Sequence, residues 1–160
     1  MRIFLFSLLF SLCVSCQNKS NNQSTSIEEP TVASKEPEET VLNTTYCFRL
    51  TAGASTTFQD TTLVQLTVIG NEVMGQYDWI PAGKDSARGS LTGTVKNGII
   101  TAIYDYVIEG SKQKEEMIFK LEVNQLLVKK GALMEVDGIL KLKNPAEAKF
   151  TEILPRVLCK

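Results

Sequence analysis

No histidine occurs in this chain of 160 residues. Its absence removes the usual general base near neutral pH. A Ser-His-Asp or Cys-His arrangement is excluded, and the commonest zinc and copper ligand is missing. Cysteine is scarce, with four residues, and tryptophan occurs once, at Trp79. Neither sign of charge dominates, with 17 Lys and Arg against 18 Asp and Glu. No basic stripe marks a nucleic-acid face, so nucleic acid is not an expected partner. No apolar run reaches the ~20 residues that a membrane-spanning helix needs. No segment keeps a sustained helical stripe. Paired carboxylates can cleave glycosidic bonds, and Asp60, Asp78, Asp85 and Glu109 cluster in or near expected loops. No spacing singles out a pair among them. Binding without a cofactor or metal is therefore expected, not catalysis.

What is present begins at the N-terminus. Arg2 precedes the apolar run "IFLFSLLFSLCVS", which has the charge and length of a secretory signal. The run closes on "LCVSC", Leu12 to Cys16, with small Ser15 directly before the second cysteine. This ending resembles the lipobox of bacterial lipoproteins. The resemblance implies cleavage after residue 15 and acylation of Cys16, with Cys13 standing where the usual apolar residue would be. Two or more acyl chains, each buried CH₂ contributing ~0.8 kcal/mol, give stable membrane anchoring. Gln17 stands where an aspartate would resemble an inner-membrane retention signal, which points to the outer membrane facing the periplasm.

Composition then changes abruptly. "QNKSNNQSTSIEEPTVASKEPEET" holds few large apolar side chains but includes Glu28, Glu29, Glu36, Glu38 and Glu39. Such a segment cannot bury enough surface to offset its ordering entropy, so residues 16–43 are expected to be a disordered tether. As a flexible coil it would hold the C-terminal domain ~30 Å from the membrane.

Residues 44–160 make one domain, with 14 basic and 13 acidic side chains. Its two cysteines, Cys47 and Cys159, lie near its ends and form no C-x-x-C pair. In an oxidising compartment they are expected to join the first and last strands by a disulfide.

Apolar residues alternate along this domain with a period of two. Tyr46, Phe48 and Leu50 share one face, as do Val64, Leu66 and Val68. The pattern repeats in Val73–Trp79, Gly89–Val95, Ile100–Ile108, Met117–Val123 and, as a single strand, Met134–Leu142. Short segments at Leu126–Lys129 and "PRVLC" complete eight or nine strands. Tight turns are expected at Gly70-Asn71, Asn97-Gly98 and Asn124-Gln125. Longer loops are expected at "TAGASTTFQDT", "PAGKDSAR" and "EGSKQKEE". In a meander the tight turns gather at one end and the long loops at the other. The expected fold is all-β, a small antiparallel up-and-down barrel of about eight strands, with a β-sandwich as the alternative. "NPAEAKFTEILP" has room for one helical turn.

By strand count and order this domain resembles lipocalin-type or calycin-type barrels. The resemblance implies a small apolar or amphiphilic ligand held at the open end. Phe58, Trp79, Lys84, Asp85 and Arg88 are the expected ligand-binding residues, as an aromatic wall beside a few polar groups. Tyr104 and Tyr106 are expected in the core with their hydroxyls satisfied. Tyr46-Cys47 and Leu158-Cys159 are also similar to the arrangement in membrane-bound lysozyme inhibitors, and "DSARGS" resembles, in a different residue order, their inhibitory loop. That likeness implies an alternative function, an inhibitor or envelope-protein interaction module working through the loop end, with Ser86 or Arg88 in the loop.

Overall fold

The computed structural model describes residues 43–55 and 58–160. The expected signal peptide, Cys16 and the tether up to residue 42 lie outside the described residues. Among the described residues there is no helix, and the strands are ten. They are β1 (Asn43–Ser55), β2 (Phe58–Ile69), β3 (Glu72–Ile80), β4 (Ala87–Lys96) and β5 (Ile99–Ile108). β6 (Ser111–Leu121), β7 (Gln125–Lys130), β8 (Leu133–Val136), β9 (Ile139–Leu142) and β10 (Lys149–Val157) complete the set.

β1 to β5 pair in chain order, β5 pairs with β6, β6 with β7, β7 with β10, and β10 returns to β1, all antiparallel. The result is a closed eight-stranded barrel with two extra strands, and no sandwich forms. Alternation explains which side chains fill it. Phe48, Val64, Leu66, Val73, Tyr77, Leu91, Ile100, Ala102, Met117, Phe119, Leu126, Val128 and Leu154 all point inward and are buried. Closing the ring pairs both edges of every barrel strand, at least in part, and small residues let the strands bend tightly. A Cβ on Gly89 would lie 2.6 Å from the Tyr106 Cα, so only glycine permits that approach of β4 to β5.

Several expectations change. "TAGASTTFQDT" and "EGSKQKEE" are strand over most of their length, because β1–β2 and β5–β6 pair almost to their tips. The β5–β6 turn is Glu109-Gly110, both at positive φ, which is the left-handed backbone of a two-residue hairpin. Of the expected long loops at this end, only Pro81–Ser86 is one among the described residues. "LMEVDGILKL" is a hairpin, β8–β9, turning at Asp137 (φ 52°) and Gly138 (φ 76°). It lies outside the ring, joined to β6 by a parallel bridge between Glu115 and Leu140. Met134 and Val136 are consequently exposed. Val123, just past the end of β6, is exposed as well. In "NPAEAKFTEILP" the Ala148 N–H donates to the Asn144 carbonyl at 3.1 Å, closing the single turn for which the sequence has room, before β10 begins.

The closed end carries the turns after β2, β4 and β6. Across it Arg156 lies 4.8 Å from the Tyr46 ring centre and donates to the Val123 carbonyl at 3.1 Å. Cys47 and Cys159 are disulfide-bonded here, with Cα atoms 5.3 Å apart.

Candidate functional site

The inward alternation that builds the core becomes polar toward the open end. Along β6 the inward positions run Phe119, Met117, Glu115. Along β7 they run Leu126, Val128, Lys130, and along β10 they run Leu154, then Glu152. These polar side chains line a cavity of about 230 Å³ with Tyr77, Trp79, Ala87, Tyr104, Tyr106, Ile108 and Met117. A polar group placed at a core position must find a partner or face solvent or a ligand. Here the partners are only partly supplied.

Lys130 and Glu152 are paired, Nζ to Oε2 at 2.8 Å. The Tyr77 hydroxyl donates to the other Glu152 oxygen at 3.4 Å. The Tyr106 hydroxyl donates to the Gln113 Oε1 at 2.8 Å. Tyr104 is different. Its ring is 3% exposed, and its hydroxyl is buried with no hydrogen-bond partner. The expectation that both core tyrosines would be satisfied holds for Tyr106 and fails for Tyr104. The rings form one aromatic wall: Tyr104 stacks on Tyr106 with centres 4.3 Å apart, and Tyr77 meets Tyr104 edge-on at 5.0 Å. Gly89 pairs with Tyr77 on one side and Tyr106 on the other, so the absence of a side chain there leaves room between strands.

The electrostatics derive from burial. Desolvation is the main cause pushing the Tyr77, Tyr104 and Tyr106 hydroxyls above the usual phenol range, so all three stay protonated. Burial also raises the Glu115 carboxyl from its usual 4.5; Lys130 opposes this and Glu152 adds to it. A carboxyl raised by folding contributes stability that is complete below its unfolded value and lost as pH rises through its folded value. Stability relative to Glu115→Gln is thus expected to decline from about pH 4.5 upward. Thermal midpoints of both proteins across pH 4 to 8 check this. A difference that stays constant over that range would contradict it.

The residues expected at the ligand site are dispersed. Trp79 lines the cavity. Phe58 is exposed at the start of β2, its ring against Gly83, where a Cβ would come within 3.0 Å of it. Lys84 and Asp85 are exposed in the β3–β4 loop, and Ser86 beside them is half-buried. Arg88 lies on the outer face of β4, 3.4 Å from Asp78 on β3. Asp60 accepts from the Ala82 N–H at 2.8 Å, which ties this loop to β2. Glu115, Lys130 and Glu152 went unread in the sequence. Their signal was parity: each stands two residues from an apolar inward position on its own strand. A broader depression of about 490 Å³ lies outside the barrel between Arg49, Gln65, Asp78 and the C-terminal Val157–Lys160. It holds no buried unpartnered group. Among the described residues, no three His, Cys, Asp or Glu side chains come together to hold a metal ion. No protein-family model, no curated protein and no solved structure matches this chain.

Proposed function

We propose that this chain is a lipid-anchored protein of the bacterial envelope whose barrel holds a small amphiphilic ligand in the cavity at its open end. The observation that carries the reading is the Tyr104 hydroxyl, buried without a partner on the wall of that cavity. A buried hydroxyl left unpaired costs ~1–3 kcal/mol, which a ligand's polar group would recover. The volume of about 230 Å³ lies below the ~300–1,000 Å³ of drug-sized sites, so the ligand is small or only its end is enclosed. Nothing in this reading requires catalysis. β1 starts at the closed end, where Asn43 pairs with Ile69.

Native mass spectrometry of the mature protein tests the binding. The expected result is a reproducible adduct that is lost on denaturation and absent in Trp79→Ala. The same mass under gentle release as after denaturation, with no adduct beyond the covalent acyl chains, would contradict it. Anchoring is tested separately: Cys16→Ser is expected to move the protein from the membrane fraction to the soluble fraction, and unchanged partitioning would refute it.

The rival reading, a protein-interaction module, has an observation of its own. β8 ends the row of strands with one edge unpaired, and Leu133, Met134 and Val136 are exposed on it. Such an edge can accept an added strand. An empty cavity together with a partner retained by wild type but lost in Met134→Lys would favour this reading.

A further inference from the structure

The charges lining the cavity do not balance. Glu115, Glu152 and Lys130 supply two carboxylates against one ammonium, and that ammonium is engaged with Glu152 at 2.8 Å. Lys130 also acts on Glu115, but among the described residues Glu115 itself makes no ion pair. Around it stand Tyr77, Tyr104, Tyr106 and Trp79, whose ring faces attract cations. Tyr104 pairs directly across the β5–β6 ladder with Glu115, so its unpartnered hydroxyl and the spare carboxylate belong to neighbouring inward positions.

We infer that the cavity selects a protonated primary amine carrying a short apolar or aromatic body. The ammonium N–H groups donate to the Glu115 carboxylate and to the Tyr104 oxygen, while the body packs on Trp79, Tyr106, Ile108 and Met117. An anion would face both carboxylates and find the only lysine occupied. A neutral ligand would bury Glu115 further without compensating it. Burial disfavours the ionised form of Glu115, with Lys130 opposing and Glu152 adding to it, and an ammonium beside the carboxylate offsets part of that penalty. A quaternary ammonium could engage the rings but has no N–H for the Tyr104 oxygen.

The inference rests on the cavity being a binding site, and the test separates the two. Trp79 is the only tryptophan in the chain and lines the cavity, so its fluorescence reports occupancy. The probes are phenethylamine, 2-phenylethanol and phenylacetate, which share a body and differ in charge. Phenethylamine is expected to bind roughly tenfold tighter than the alcohol, as one charge-assisted hydrogen bond would give, with phenylacetate weakest. Glu115→Gln is expected to erase that preference and leave the alcohol's affinity in place. Equal binding of amine and alcohol, or tightest binding of phenylacetate, overturns the charge selection and keeps the binding site. No response to any probe, with no complex by native mass spectrometry, overturns both. The wild-type comparison needs no variant, so the outcome does not depend on how Glu115→Gln folds.

Discussion

Replacing Cys47 and Cys159 together with serine is expected to cost ~2–5 kcal/mol and to lower the melting temperature by roughly 10–20 °C. The loop between them spans 112 residues, so the unfolded chain gains much freedom when the bond is lost. The barrel's construction adds a local reason. β1 is paired with β2 from Asn43 nearly to its tip, yet it meets β10 only at Cys47↔Val157 and Phe48↔Arg156. This is the seam that closes the ring, and the disulfide lies directly beside it. Amide hydrogen exchange should therefore accelerate first at Cys47–Phe48 and Arg156–Val157, ahead of the β4–β5 ladder. A double variant that loses under ~1 kcal/mol, or exchanges evenly over all strands, would show that the seam holds without its staple.

Phe119→Ala is expected to cost ~3–5 kcal/mol, the range for truncating a fully buried phenylalanine. Phe119 is 0% exposed, pairs with Ile100 on β5 and Val128 on β7, and lies with its ring centre 6.4 Å from that of Tyr77. It occupies the inward position next below Met117, which lines the cavity. Truncation should deepen the cavity downward with an apolar extension, and engineered apolar voids of that kind bind benzene. Raised melting temperature of Phe119→Ala in benzene, absent for wild type, is the expected signature. If benzene raises both proteins equally, or neither, the void does not join the cavity. Chemical denaturation at reduced temperature extends the comparison to a strongly destabilised variant.

Much of this fold was legible because strand alternation is a local property. The inward faces of β1 to β5 could be read from residues two apart, and Asn97-Gly98 marked its hairpin through the left-handed backbone it adopts. The same rule misplaced "EGSKQKEE", whose polarity reads as a loop. It is strand because the ladder from Ile108↔Ser111 to Tyr104↔Glu115 supplies its backbone hydrogen bonds, whatever the side chains prefer. Asp137-Gly138 carried a hairpin signal inside "LMEVDGILKL", but the alternation on either side reads equally as one long strand. Only tertiary pairing decided it.

The candidate site was less legible. Trp79 was found because a large aromatic residue near a loop is conspicuous in sequence. Arg88 was misplaced because β4 begins at Ala87, so strand alternation turns Arg88 to the outer face, opposite Asp78. Glu115, Lys130 and Glu152 look like ordinary surface charges on three separate strands.

Composition and local order by themselves determined that the chain lacks histidine chemistry, that its domain is built of short antiparallel strands, and that Cys47 and Cys159 lie where a disulfide can join the domain's ends. These depend on residue type and on neighbours two or three positions apart. The order of tight turns and long loops already pointed to a barrel of about eight strands. The choice of a closed ring over a sandwich, the outlying β8–β9 hairpin and the meeting of Glu115, Lys130 and Glu152 beneath an aromatic wall were decided by tertiary structure. Ring closure sets the register between distant strands, and that register determines which distant charges share one interior.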